Sequence, residues 1–86
     1  MRTTATVPKV RLFAQAREAA GTGADVLPGG TVDDVLNAAR QRYGAAFATV
    51  LEQSRVWVNG EPASPTDVVA DRDEVAVLPP VSGGCG

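Results

Sequence analysis

One stretch of this chain carries sustained helical periodicity, and it constrains everything around it. In "PGGTVDDVLNAARQRYG" the residues Val32, Val35, Leu36, Ala39 and Tyr43 recur at spacings of three and four. They form a single apolar stripe along a helix. Thr31 is placed to cap that helix, because its hydroxyl can accept from a first-turn N–H that has no partner inside the helix. Asp33 and Asp34 set negative charge at the positive end of the helix dipole, and Arg40 and Arg42 set positive charge at the other. Gly44 supplies the left-handed stop. Such a stripe must be buried against something, and the flanking sequence alternates as strands do.

"KVRLFA" puts Val10, Leu12 and Ala14 on one face and Arg11 and Phe13 on the other, the period of a half-buried strand. "AREAAGTGADVL" carries two glycines and reads as a turn into a short strand near Asp25–Leu27. After the main helix comes a shorter helical segment with Phe47, Val50 and Leu51 along its apolar side. "RVWVNGEPA" is a strand entering an Asn59–Gly60 turn of the hairpin type. Pro62 and Pro65 confine the next stretch to an edge strand or a loop. A turn at Asp71–Asp73 leads into a last strand, Glu74 to Leu78, which Pro79–Pro80 ends because neither ring nitrogen can donate to a ladder. The order strand–strand–helix–strand–strand describes an α+β sheet with one main helix packed on it and a short second helix. Residues 1–6 read as a flexible N-terminus, 7–80 as one domain and 81–86 as a flexible tail.

Composition excludes much chemistry. The chain has 86 residues, 44% of them apolar, which is enough for one small core. A net charge of −2 leaves no basic footprint for nucleic acid or for an anionic membrane. The acidic groups Asp33–Asp34 and Asp71, Asp73 and Glu74 either pair with a basic partner or are solvated surface. No apolar run approaches the roughly 18 residues of a membrane span, and "MRTTATVPKV" lacks the apolar core of a signal peptide. The single cysteine, Cys85, cannot form an internal disulfide, so the cytoplasm is the expected compartment. With no histidine, His-based triads and His metal sites are impossible within the chain, and one cysteine cannot hold an iron–sulfur cluster. We expect no metal site and no bound cofactor, and most enzyme chemistry is excluded.

The chain ends "LPPVSGGCG". Gly83 and Gly84 lack a Cβ and accept nearly any backbone conformation, which suits an end that must thread a narrow channel in another protein. Pro79–Pro80 stiffen the base of this tail, and Val81 to Gly84 in extended form reach roughly 13 Å. A glycine pair by itself often marks a plain disordered terminus. Cys85 is either part of a discarded extension or a thiol of its own, although no base or cation in the sequence is placed to activate it.

"KVRLFAQAREAAGT", "GGTVDDVL", "VNGEPA" and above all "DEVAVLPPVSGG" resemble the ubiquitin-like sulfur carriers, in particular the small subunit of molybdopterin synthase. The resemblance implies a β-grasp fold with a mixed sheet, over about Val7 to Gly84. It implies a protein co-substrate and not an enzyme. A ubiquitin-activating-like adenylating and sulfurtransferase enzyme, using ATP, would act on the Gly84 carboxylate, and the resulting thiocarboxylate would donate sulfur to a synthase, with Gly83 beside it in the tip. Family chains normally stop at the second glycine, and some carry short extensions that are removed. Here Gly84 is bonded to Cys85, so the resemblance implies prior cleavage between Gly84 and Cys85, by a zinc-dependent peptidase of the kind that trims ubiquitin. A second departure is Arg72, where relatives often carry glycine.

Alternation places Phe13, Trp57 and Leu78 together on the open face of the sheet, an apolar patch of the kind that meets partners. The resemblance supports docking through this face, with Arg11 and Pro62 at its rim and Pro79, Pro80 and Val81 leading to the tip. Molybdopterin, thiamin, cysteine and thio-natural-product pathways remain open as destinations of the sulfur. A lysine-conjugating protein modifier uses the same activated Gly84, and a plain interaction module would make the tail irrelevant.

Overall fold

Two buried strands, β1 (Lys9–Leu12) and β5 (Glu74–Leu78), run side by side and parallel at the centre of a five-stranded sheet. The computed structural model describes residues 6–80. Residues 1–5 and 81–86 lie outside the described residues, and with them most of the expected N-terminal segment and the whole tail. Between the central strands the chain forms α1 (Ala14–Ala20), β2 (Ala24–Val26), α2 (Val32–Tyr43), α3 (Ala45–Glu52), β3 (Arg55–Val58) and β4 (Glu61–Pro62). The strand order is β2-β1-β5-β3-β4, and every pairing except β1–β5 is antiparallel. The mixed α+β sheet expected from the sequence is the one observed.

The core lies between one face of the sheet and the helices. Val10, Leu12, Val75 and Val77 point from the central strands into the stripe of α2 formed by Val32, Val35, Leu36 and Ala39, and all are buried. Phe47 and Leu51 of α3 complete it, Phe47 with no exposure at all. Thr31 caps α2 as expected, its hydroxyl accepting from the Asp34 N–H at 3.2 Å. Gly44 serves both neighbouring helices: its N–H donates to the Arg40 carbonyl and its own carbonyl accepts from Ala48. At φ 95° and ψ −169° it adopts a backbone that side chains strongly disfavour. The stop is therefore glycine-specific, although it is not the left-handed helical conformation itself.

Two further glycines have distinct roles. Gly29 packs so closely on the start of α2 that a Cβ there would lie 2.6 Å from the Val35 backbone nitrogen. Gly60 follows Asn59 in the expected two-residue hairpin turn, with φ of 84° and 53° respectively, the pair of positive angles that a type I′ turn needs. The Asn59 side chain then ties this turn to the next one, accepting from Glu74 N–H and donating to Asp73. Asp73 in turn accepts from the Ala70 N–H at 2.8 Å, closing the turn around Arg72 through a side chain. Arg72 has no positive φ, so no glycine is required there.

The structure differs from the sequence expectation after β1. The strand stops at Leu12, and the stretch read as a turn is the helix α1, ended by Gly21 at φ 81°. Ala14 begins this helix at φ 50° and is exposed, so it does not share the face of Val10 and Leu12. Its sequence, AQAREAA, is rich in strong helix formers. Ala16 is its only buried residue, with Ala19 and Ala20 half-buried against the core, and three alanines give a far weaker apolar stripe than the branched residues of α2.

Candidate docking face and tail exit

The outer face of the sheet is built by register. Arg11, Ala76, Trp57 and Pro62 lie in one row across β1, β5, β3 and β4. Leu78 lies opposite Arg55 in the next row, and Phe13 continues β1 alongside, its N–H donating to the Val77 carbonyl at 3.3 Å. Phe13 is 40% exposed, whereas Trp57 and Leu78 are half-buried. The Arg11 guanidinium stands 6.0 Å from the Phe13 ring centre and 3.3 Å from the Glu74 carboxylate. The structure thus brings Phe13, Trp57, Leu78, Arg11 and Pro62 onto one face, as alternation predicts.

Phe13 is held from both sides. Beyond its bond to β5, its carbonyl accepts from the N–H groups of Ala16 and Arg17 at the start of α1. This exposed aromatic side chain therefore sits on backbone that two elements fix. That is a signal no sequence pattern carries, because α1 itself is not legible in the sequence.

Charge on this face is opposite to that of the chain. Lys9, Arg11 and Arg55 stand on it against Glu74 alone, while the whole chain carries eight basic and ten acidic residues. Alternation marks the apolar members and misses Lys9 and Arg55 as part of the same surface. Among the described residues no three His, Cys, Asp or Glu side chains come together to hold a metal ion, and no described helix is long and apolar enough to cross a membrane.

The edges of the sheet are closed to strand addition. On β2 the Ala24 N–H is taken by Thr22 Oγ1 at 3.4 Å, and the Val26 N–H by the Asp25 carboxylate at 2.8 Å. The opposite edge, β4, is two residues long and includes Pro62, which has no N–H.

Asp25 also anchors β2 to α2. Tyr43 donates its hydroxyl to Asp25 at 2.6 Å and Arg42 donates to the same oxygen at 3.0 Å. The Tyr43 hydrogen bond holds the Asp25 carboxyl below the usual carboxylate range, opposed by burial and assisted by Val26 N–H and Arg42. Burial, then Asp25, push the Tyr43 hydroxyl up to about 12.

Pro79 and Pro80 come directly after β5, where Leu78 faces Arg55, so the chain leaves the sheet beside the start of β3. Val81, Gly83, Gly84 and Cys85 lie outside the described residues.

The chain matches the model of the ThiS family over residues 10–84. No curated protein matches it. Among solved structures it is similar to small archaeal modifier protein 1 (SAMP1) from Haloferax volcanii, at 33% identity over 91% of this chain and 99% of that one, with a TM-score of 0.80. SAMP1 from Methanosarcina acetivorans is 32% identical over 95% and 100%, with a TM-score of 0.82. A putative molybdopterin converting factor subunit 1 from Pyrococcus furiosus is 28% identical over 88% and 99%, with a TM-score of 0.72. The architecture is accordingly the ubiquitin-like β-grasp.

Proposed function

Because the chain belongs to the ThiS family of ubiquitin-like sulfur carriers, we propose that it is a sulfur carrier whose working end is Gly84. The single observation behind this is the reach of the family match, which runs through β5 and Pro79–Pro80 and ends on the second glycine of Gly83–Gly84. The last two residues, Cys85 and Gly86, fall beyond it.

In this reading a zinc-dependent peptidase cleaves the Gly84–Cys85 bond and frees the Gly84 carboxylate. A carboxylate oxygen then attacks the α-phosphorus of ATP in the adenylating enzyme, forming the acyl-adenylate and releasing pyrophosphate. A hydrosulfide-equivalent nucleophile displaces AMP from the Gly84 carbonyl, leaving a thiocarboxylate. The chain supplies no acid or base to these steps. It supplies a tip without side chains, an extended exit from β5, and a docking face on which Phe13, Trp57 and Leu78 give apolar contact. A partner with an acidic rim complements Lys9 and Arg55 there. The adenylating enzyme, a sulfur-acceptor synthase and the peptidase are the partners, and the cytoplasm is the place. A synthase of the molybdopterin type is the first choice of acceptor, supported by the likeness to a putative molybdopterin converting factor subunit.

A second reading has its own support. Two of the similar structures are named as modifier proteins, and a Gly84 acyl-adenylate attacked by a lysine amine gives an isopeptide bond and AMP. Intact mass spectrometry of the protein from its native host separates the two. Loss of the residues after Gly84 with exchange of one oxygen for sulfur supports the carrier. Gly84 joined to target lysines, with no sulfur form, supports the modifier.

A further inference from the structure

A groove of about 440 Å³ runs between α2 and the β3–β4 hairpin and reaches the edge of the outer sheet face. Leu36, Leu51, Val56 and Ala63 give it apolar walls. Its ends differ. The N-terminus of α2 is tied to the loop after β4, with Asp33 N–H donating to the Pro65 carbonyl, so that end is closed by prolines. The other end, where α2 finishes and α3 turns into β3, is lined by Arg40, Arg55 and Glu52.

Three observations say what fits there. First, the two ion pairs among the described residues use Arg11 and Arg42. Arg40 bonds to the neutral amide of Asn37, so the residues lining this end include two arginines outside those ion pairs and one carboxylate, with Arg55 standing where the groove meets the sheet face. Second, the groove is continuous with the docking face, because Trp57 and Pro62 pair in register on the hairpin and also line the groove. Third, Arg55 lies opposite Leu78, the last residue before the prolines that begin the tail. An enzyme holding the tail is already beside the charged end of the groove.

We propose that the groove receives an acidic, apolar segment of the adenylating enzyme, an aliphatic side chain against Leu36 and Ala63 with adjacent carboxylates paired to Arg40 and Arg55. The segment enters by its side chains, since Pro62 leaves the β4 edge without the donors that strand pairing needs. The enzyme thereby grips two surfaces, the sheet face and the groove, wrapping the short β4 edge between them. Burying charge pairs beside an apolar wall favours the partner that carries matching carboxylates and rejects one that carries lysines. The inference rests on the carrier reading, and it assigns to that reading a specificity element that extends beyond the sheet face.

The test uses the chain ended at Gly84 and the adenylating enzyme, with ATP–pyrophosphate exchange as the readout. Arg40→Glu, which leaves the sheet face untouched, should raise the KM for the carrier about tenfold or more with kcat kept, the mark of lost binding and intact chemistry. Arg40→Lys should keep much of the affinity. Ala63→Leu, which fills the groove without changing charge, should also raise KM, and thermal melts of all variants exclude unfolding. Because the chain ended at Gly84 has no cysteine, Glu52→Cys takes a single benzophenone, and its crosslink should fall on an enzyme peptide with aliphatic and acidic residues. KM within about twofold of the parent for folded charge-reversal and groove-filling variants overturns the inference while leaving the carrier reading intact. No exchange with the parent chain overturns the carrier reading, and the inference falls with it.

Discussion

Replacing Tyr43 with Phe removes one hydroxyl and keeps the ring that meets Phe47 edge-on at 5.1 Å. The loss is a 2.6 Å hydrogen bond to the Asp25 carboxylate, which keeps Arg42 at 3.0 Å and the Val26 N–H at 2.8 Å. A hydrogen bond to a charged group contributes about 1.5–3 kcal/mol. The Asp25 side chain is 21% exposed, so water repays part of the loss, and we expect a cost of about 1–2 kcal/mol at pH 7. In a domain this small each kcal/mol moves the melting temperature by about 4–8 °C. The dependence on pH is more specific. Tyr43 has its pKa raised to about 12 in the folded chain against 10.0 in the unfolded one. Its stabilisation is therefore complete below pH 10 and is lost as pH rises through 12. Asp25 is shifted the other way, so its stabilisation is present above its ordinary value of 3.8 and is lost as pH falls through the lowered one. Urea unfolding followed by the fluorescence of Trp57, the single tryptophan, measures both limbs. Tyr43→Phe should abolish the alkaline loss above pH 10 and flatten the acid limb. A cost below about 0.5 kcal/mol at pH 7, or an unchanged alkaline limb, would refute the assignment of Asp25 and Tyr43 as the link between β2 and α2.

Gly29→Ala should destabilise by about 1–3 kcal/mol, because its Cβ overlaps backbone that cannot move without shifting α2, whereas Gly30→Ala, with open space around it, should be nearly silent in the same unfolding assay. Leu36→Ala should cost about 2–5 kcal/mol, since Leu36 is 7% exposed and packs in the centre of the α2 stripe; a loss below about 1 kcal/mol means the stripe does not carry the core. Phe13→Asp and Leu78→Asp should leave the fold intact by circular dichroism and weaken binding to the adenylating enzyme, because each sets a carboxylate in an apolar contact that desolvates it. Unchanged binding by both folded variants removes the sheet face from the account.

Features written in one local stretch are legible in the sequence. The Thr31 cap, the acidic first turn and the Val32–Ala39 stripe all come from spacing within a dozen residues, and the structure places each as expected. So do the Asn59–Gly60 turn and the alternation that sends Val10 and Val77 inward and Phe13 and Leu78 outward. The features that spacing cannot show depend on residues far apart in the chain. The tie from Asp25 to Tyr43 spans 18 residues and joins a short strand to the end of a helix. Arg72 departs from glycine on local grounds, but Asp73 and Asn59 close that turn from different segments. Helix α1 is hidden for another reason, because it meets the core through the small side chains of Ala16, Ala19 and Ala20. The groove beside β4 is invisible in the sequence because Arg40, Arg55 and Ala63 sit on separate elements and share no motif.

The central claim is that Gly84 becomes the chemical end of this chain only after the residues beyond it are removed. ATP–pyrophosphate exchange by the adenylating enzyme measures this directly, comparing the chain ended at Gly84 with the chain carrying Cys85–Gly86. The shorter chain should support exchange, and the longer one should not until a peptidase has exposed Gly84, whose carbonyl is otherwise held in a peptide bond. Cys85→Ser in the longer chain should change neither the cleavage nor the subsequent exchange. Exchange by the untrimmed chain, or an inert shorter chain with an enzyme proven on another carrier substrate, would contradict the account.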